Sequence, residues 1–233
     1  MVETQLPQAS SDFWSPTRRR DALVIVLTLV TGTTDAFGLL RLGGVFTSVM
    51  TGNMVFLGLA TAERSGSIAL HTGVAFGAYM LGSFVGARIA GHAPDNESNL
   101  WPRSIIWALT LELAVFAVFA VWWEVVHGTP SHDLTYVLLG LNAVALGLQS
   151  AAVLRFGVNG LSTTYLTGTL TQFVAGFTKK NEPIQGRSGL ILLALIVGAA
   201  LGGLGAVHAV LLAPFIPIVA LAVVVTGAWT SFH

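Results

Sequence analysis

Long apolar runs separated by short polar clusters dominate this sequence. Eight such windows follow one another, at residues 21–41, 44–62, 70–91, 104–126, 134–156, 158–177, 189–209 and 212–230. Each approaches the ~17–25 residues that carry a helix across the ~30 Å hydrocarbon layer of a bilayer. Lipid offers the backbone no hydrogen bonds, so a spanning segment must be a helix or a strand of a closed barrel, and these near-continuous runs lack the alternation of barrel strands. The pattern predicts an all-α integral membrane protein. Prolines punctuate it: Pro94 and Pro102 bracket the polar loop 92–103, Pro130 and Pro183 lie in later polar loops, and Pro214 and Pro217 open the last window. From Gly189 to Trp229 there is no Lys, Arg, Asp or Glu. That stretch is too long for one crossing, so a tight helical hairpin is expected near residues 208–217.

An internal repeat organises the windows. Shifting the sequence by 116 residues without a gap lays residues 44–93 over 160–209, with twelve identities in fifty positions. They include Thr47/Thr163, Thr51/Thr167, Gly52/Gly168, Gly82/Gly198, Gly86/Gly202 and His92/His208. The expected organisation is a cytoplasmic tail at 1–20, a first membrane repeat at 21–126 and a second at 134–233. If all eight windows span, the halves are parallel, four plus four. If the windows at 44–62 and 158–177 re-enter, the halves are inverted, three plus three.

Lys/Arg bias chooses between them. With Arg18, Arg19 and Arg20 inside, six spans leave nine basic residues inside, among them Lys179, Lys180 and Arg187, against Arg41 and Arg64 outside; eight spans give seven against four. The inverted three-plus-three arrangement is therefore expected, with the N-terminus cytoplasmic.

Composition narrows the function. Hydrophobic residues make up 54% and charged residues 9%, with mean hydropathy +0.76, against roughly 25% charged in a soluble domain. Net charge is zero, so no basic field for nucleic acid exists. Without cysteine there is no thiolate metal site or cysteine nucleophile, and the histidines are scattered. Neither metal, cofactor nor enzymatic activity is expected. The partners expected are the lipid bilayer and a small solute, with homo-oligomerisation left open.

Candidate chemistry lies in the repeat-related polar segments. Thr47, Thr51, Gly52 and Asn53 in one window match Thr163, Thr167, Gly168 and Thr169 in the other. Glycine permits a helix break, and threonine or asparagine beside it can cap the restart. Paired interrupted helices mark a transport site near the midplane. With restarts after Gly52 and Gly168, the positive helix ends would favour an anionic group.

Asn142 and Gln149 share a face of the fifth window and are candidate lining residues. Asp35 and Glu112 lie deep in their windows, where ionisable groups are costly, and are candidates for proton coupling. Ala78-x3-Gly82-x3-Gly86-x3-Ala90 and its copy Ala194-x3-Gly198-x3-Gly202-x3-Ala206 predict close helix packing. Trp101, Trp107, Trp122, Trp123 and Trp229 are expected to form an interfacial belt.

The runs Thr31-Gly-Thr-Thr-Asp-Ala, Leu42-Gly-Gly-Val-Phe-Thr-Ser-Val-Met-Thr-Gly-Asn, Gly147-Leu-Gln-Ser-Ala and Thr167-Gly-Thr-Leu-Thr resemble the YoaK-like family of bacterial membrane proteins, a domain of unknown function. The resemblance covers nearly the whole chain after residue 20 and departs at Ser150 and at Leu154-Arg155-Phe156. It implies a multi-pass protein of the bacterial inner (plasma) membrane and names no substrate. The residues themselves lead to a transporter or channel for a small polar solute, anionic ones included, with proton coupling through the buried carboxyls. A non-catalytic structural or assembly protein is the alternative.

Overall fold

The computed structural model describes residues 15–91, 100–157, 162–177 and 186–232. The expectations set on His92, Pro94, Lys179, Lys180 and Pro183 fall outside those residues. Among the described residues eight helices follow in order: α1 (Pro16–Arg41), α2 (Met50–Glu63), α3 (Gly66–Ala90), α4 (Arg103–Val125), α5 (His132–Leu154), α6 (Leu166–Gly176), α7 (Gly186–His208) and α8 (Phe215–Phe232). The described residues contain no strand.

Six of the eight, all but α2 and α6, are long and apolar enough to cross a membrane. At 1.5 Å per residue, the 14 residues of α2 and the 11 of α6 reach only about 21 and 16 Å, short of the ~30 Å hydrocarbon thickness. The eight-span alternative therefore gives way to six. The physical reason is that the polar start of each short window is not helical: residues 42–49 lead into α2 and residues 162–165 into α6.

Local chemistry sets the helix ends. Pro16 opens α1, whose first amide needs no partner; Ser65 and Ser131 cap α3 and α5 by accepting from the Ile68 and Leu134 amides. Arg187 pairs with Asp21 at 3.4 Å, which puts the start of α7 beside the start of α1. The Trp101 ring lies 4.9 Å from Phe156 and 5.8 Å from Phe232, so the start of α4 and the ends of α5 and α8 share that face. At the opposite, distal face, Trp123 Nε1 donates to the Val210 carbonyl at 2.8 Å, tying the end of α4 to the α7–α8 turn. That turn, at residues 209–214, is the hairpin the uncharged stretch requires.

Two helix pairs make the most intimate contacts, α1 with α7 and α3 with α5. A Cβ at Gly198 or Gly202 would strike the Leu29 or Thr33 carbonyl of α1, and one at Gly32 the Leu195 carbonyl of α7. Likewise Gly82 and Gly86 lie against Val144 and Leu148 of α5, and Gly147 against Tyr79 of α3. Residue numbers rise together across both interfaces, so each pair is parallel. The small-residue stripes thus do what their spacing predicts, letting backbones approach where lipid gives no hydrophobic drive to associate.

Helix α8 flanks α1, and α4 flanks α5. Hydroxyls inside the bundle mostly bond back to their own helix, as Thr28 does to Val24 and Thr34 to Val30. Trp107, Trp122 and Trp229 are exposed, but Trp101 and Trp123 are fully buried. The expected belt is corrected for these two, whose rings close the ends of the core because aromatic neighbours and an internal acceptor surround them.

Candidate functional site

The chain leaves α1 at Arg41 and folds back into the bundle before α2 begins. Gly43 and Gly44 make that reversal with φ of +97° and +74°, a region other residues seldom occupy. The returning loop would expose unpaired backbone at membrane depth, and two side chains satisfy it. Asp35 of α1 accepts from the Thr47 amide (2.8 Å), the Ser48 amide (2.8 Å), the Thr47 hydroxyl (3.0 Å) and the Ser48 hydroxyl (2.5 Å). Asn53, in the first turn of α2, accepts from the Phe46 amide and donates to the Phe46 carbonyl, at 3.0 and 2.7 Å. Between them, carboxylate and amide fix the tip of α2 against α1.

The second interrupted segment is built similarly but without charge. Ser150 of α5 bonds the Thr164 hydroxyl at 2.8 Å, and Ser162 Oγ accepts from the Tyr165 amide at 2.9 Å. Neither short helix has a side-chain cap; Val49 and Tyr165 stand at the N-cap positions. Uncapped N-termini leave amide donors free to meet a ligand.

The two tips meet. Met50 and Thr51 of α2 and Leu166 and Thr167 of α6 line one cavity of about 600 Å³. Its wall is rich in hydroxyls, from Ser48, Tyr79, Ser150, Ser162, Thr164 and Tyr165 besides the two threonines, and among the described residues it carries no charged side chain. A second cavity of about 280 Å³ lies on the other side of the tips and includes Asp35.

The residues expected from sequence divide into two sets. Thr51 and Thr167 face the larger cavity. Thr47 and Asn53 are buried in the bonds just described, while Thr163 and Thr169 are buried without lining either cavity. The helices do not restart after Gly52 and Gly168: they start ahead of them, at Met50 and Leu166. This corrects the expected break point, and both glycines instead seat an aromatic ring. A Cβ at Gly168 would strike the Tyr165 ring, and one at Gly52 would lie 3.2 Å from Phe46.

Gln149 donates to the Leu27 carbonyl and to the Thr31 hydroxyl, bridging α5 to α1, and Asn142 donates to Leu138 of its own helix. Glu112 is fully buried in α4, and among the described residues neither carboxyl oxygen has a hydrogen-bond partner. The residues that sequence reasoning missed are Ser48, Tyr79, Ser150, Ser162, Thr164 and Tyr165. Ser48 and Thr164 carried a signal, as paired hydroxyls at the 116-residue shift; Tyr79 and Ser150 sit on other helices and had none.

Six apolar spans that hold two half-helices tip to tip inside the bundle make this a multi-pass α-helical membrane protein. Residues 23–227 match the family described as Protein of unknown function (DUF1275), and the chain belongs to that family. It is 34% identical over 168 residues, covering 72% of this chain and 68% of the relative, to the UPF0700 transmembrane protein YoaK of Bacillus subtilis (strain 168). No solved structure matches.

Proposed function

We propose that this protein moves a small polar solute across the membrane through the cavity where α2 and α6 meet, and that it is built from two inverted three-span repeats. The carrying observation is the convergence of two uncapped half-helix tips on one hydroxyl-lined cavity of about 600 Å³. Non-helical backbone at membrane depth is tolerated where it lines a cavity, and paired half-helices are a recurrent way to present polar groups there.

The inverted repeat is supported by packing. Assigning α1–α4 and α5–α8 to the two halves turns the α1–α7 contact into the α5–α3 contact, and α1–α8 into α5–α4. The glycine contacts exchange in the same way: Gly198 on Leu29 and Gly202 on Thr33 correspond to Gly82 on Val144 and Gly86 on Leu148. With the end of α2 reaching the distal face and the end of α6 the N-terminal face, the halves point in opposite directions. The basic residues Arg18, Arg19, Arg20, Arg88, Arg103, Arg155 and Arg187 fall on the N-terminal side, which supports a cytoplasmic N-terminus.

Electrostatics bear on the solute. Each half-helix N-terminus carries roughly half a positive charge. Asp35 offsets the tip of α2, whereas its counterpart Ser150 leaves the tip of α6 uncompensated. A negative group on the solute is therefore favoured against Tyr165, Leu166 and Thr167. Proteoliposomes assayed for uptake of formate, acetate, nitrate and glycerol test this. At least one of these probes should enter faster than through empty vesicles, and the Thr51→Val, Thr167→Val double variant should lower that rate about tenfold or more, as expected when ~1.4 kcal/mol or more of polar contact is lost. A folded double variant with unchanged flux would remove the site.

A further inference from the structure

The two cavities share a wall. Ser48, Val49, Thr164, Leu166 and Thr167 line both the 600 Å³ and the 280 Å³ cavity. Four of the remaining lining residues of each are repeat counterparts of four in the other. Tyr79 and Ser162 of the larger cavity correspond to Leu195 and Phe46 of the smaller at plus and minus 116 residues. Ser150 and Leu154 correspond to Asp35 and Leu39 at 115, the same shift that relates Gly147 to Gly32. The larger cavity is thus walled by α3 and α5, the smaller by α7 and α1.

Their positions along the membrane normal differ. Ser150 and Leu154 occupy the last turn of α5, which ends at the N-terminal face; Asp35 and Leu39 occupy the last turns of α1, which ends at the distal face. The larger cavity therefore lies toward the N-terminal face and the smaller toward the distal face. They are related as an inverted repeat relates its two sides, yet one has about twice the volume of the other.

Building on the transport reading, we infer that the two cavities are the two access compartments of one solute path, opened alternately. The shared wall at Ser48, Val49, Thr164, Leu166 and Thr167 is the barrier between them. In the present structure the compartment toward the N-terminal face is the larger of the two. Exchanging the conformations of the two halves opens the smaller compartment at the distal face and closes the larger.

The sequence has no cysteine, so single cysteines report without background. Ser150→Cys and Ala36→Cys each place a thiol in one compartment only, with Leu154→Cys and Leu39→Cys as second choices if either fails to fold. In proteoliposomes of known orientation, a membrane-impermeant maleimide is applied to one side or trapped on the other. Ser150→Cys should react only from the N-terminal side and Ala36→Cys only from the distal side. In the double variant, a bulky maleimide adduct at position 150 holds the larger compartment open. It should slow labelling at position 36 roughly tenfold or more, by shifting the population away from the distal-open state.

Labelling at position 36 that ignores the adduct overturns alternation and leaves a continuous channel or two fixed crevices. Labelling of both positions from one side, or of neither, overturns the assignment of the two compartments. The flux lost or kept in the Thr51→Val, Thr167→Val variant is read separately, so failure of the alternation is distinguishable from failure of the solute site.

Discussion

Asp35 gathers two backbone amides and two hydroxyls on its two oxygens, at a depth where an unmatched carboxylate would be costly. The sequence shows an acidic residue deep in an apolar window, which reads equally as a proton carrier or as a partner for Arg41. Arg41 is engaged elsewhere, its Nε donating to the Ala206 carbonyl at 2.9 Å. Asp35 is thereby a positioning residue for the tip of α2, while still bordering the smaller cavity. Asp35→Asn keeps the volume but exchanges an acceptor oxygen for a donor and removes the charge. Hydrogen bonds to a charged group contribute about 1.5–3 kcal/mol, so the variant should lose roughly 2 kcal/mol and melt several degrees lower in detergent. An unchanged Tm would show that the four contacts do not hold the loop. Among the described residues Glu112 has no such set of donors, and its depth in α4 was as legible in the sequence as that of Asp35. What differs is the loop that returns to one carboxylate and not to the other.

At the scale of elements, the small-residue stripes were readable because their meaning is local: four-residue spacing places Gly82 and Gly86, or Gly198 and Gly202, on one helix face whatever lies opposite. Their partners were less readable, since Gly32 and Gly147 each stand as a single glycine in a shorter run, between Thr28 and Ala36 and between Ala143 and Ala151. An alanine at Gly198 drives a methyl into the Leu29 carbonyl, whereas at Gly77 nothing lies within 4 Å. Gly198→Ala should therefore destabilise by about 1–3 kcal/mol, the usual cost of overpacking. Gly77→Ala should be neutral or gain up to ~1 kcal/mol from helix propensity. Thermal unfolding of the two purified variants side by side checks this, and equal Tm values would contradict the close α1–α7 approach. The half-helices were legible as polar interruptions, but their boundaries were misplaced by a few residues. Glycine signals a break in the sequence, and at Gly52 and Gly168 it makes room for a ring instead.

For the whole molecule, the test of architecture is which side each loop reaches. Six crossings put residues 64–65 and 127–128 on the side opposite the N-terminus, whereas eight would put both on the same side as it. Reporter fusions truncated at those two points should both read the side opposite the N-terminal tail; one fusion on the tail's side would break the three-plus-three arrangement. Sequence alone determined that lipid is the solvent, because 54% hydrophobic and 9% charged residues in window-length runs leave no other way to satisfy the backbone. It also determined which residues pack tightly and where polar groups interrupt the spans, since both depend on spacing along a single helix. The Lys/Arg bias favoured α2 and α6 as re-entrant; the tertiary structure decided it, and it alone brought their tips together and set Ser150 and Tyr79 beside Thr51 and Thr167 around one cavity. Those outcomes depend on contacts between residues far apart in the chain, such as Asp35 with Ser48 and Ser150 with Thr164. Hydropathy registers how apolar a segment is, but not which distant side chain will take up the hydrogen bonds that its backbone leaves open.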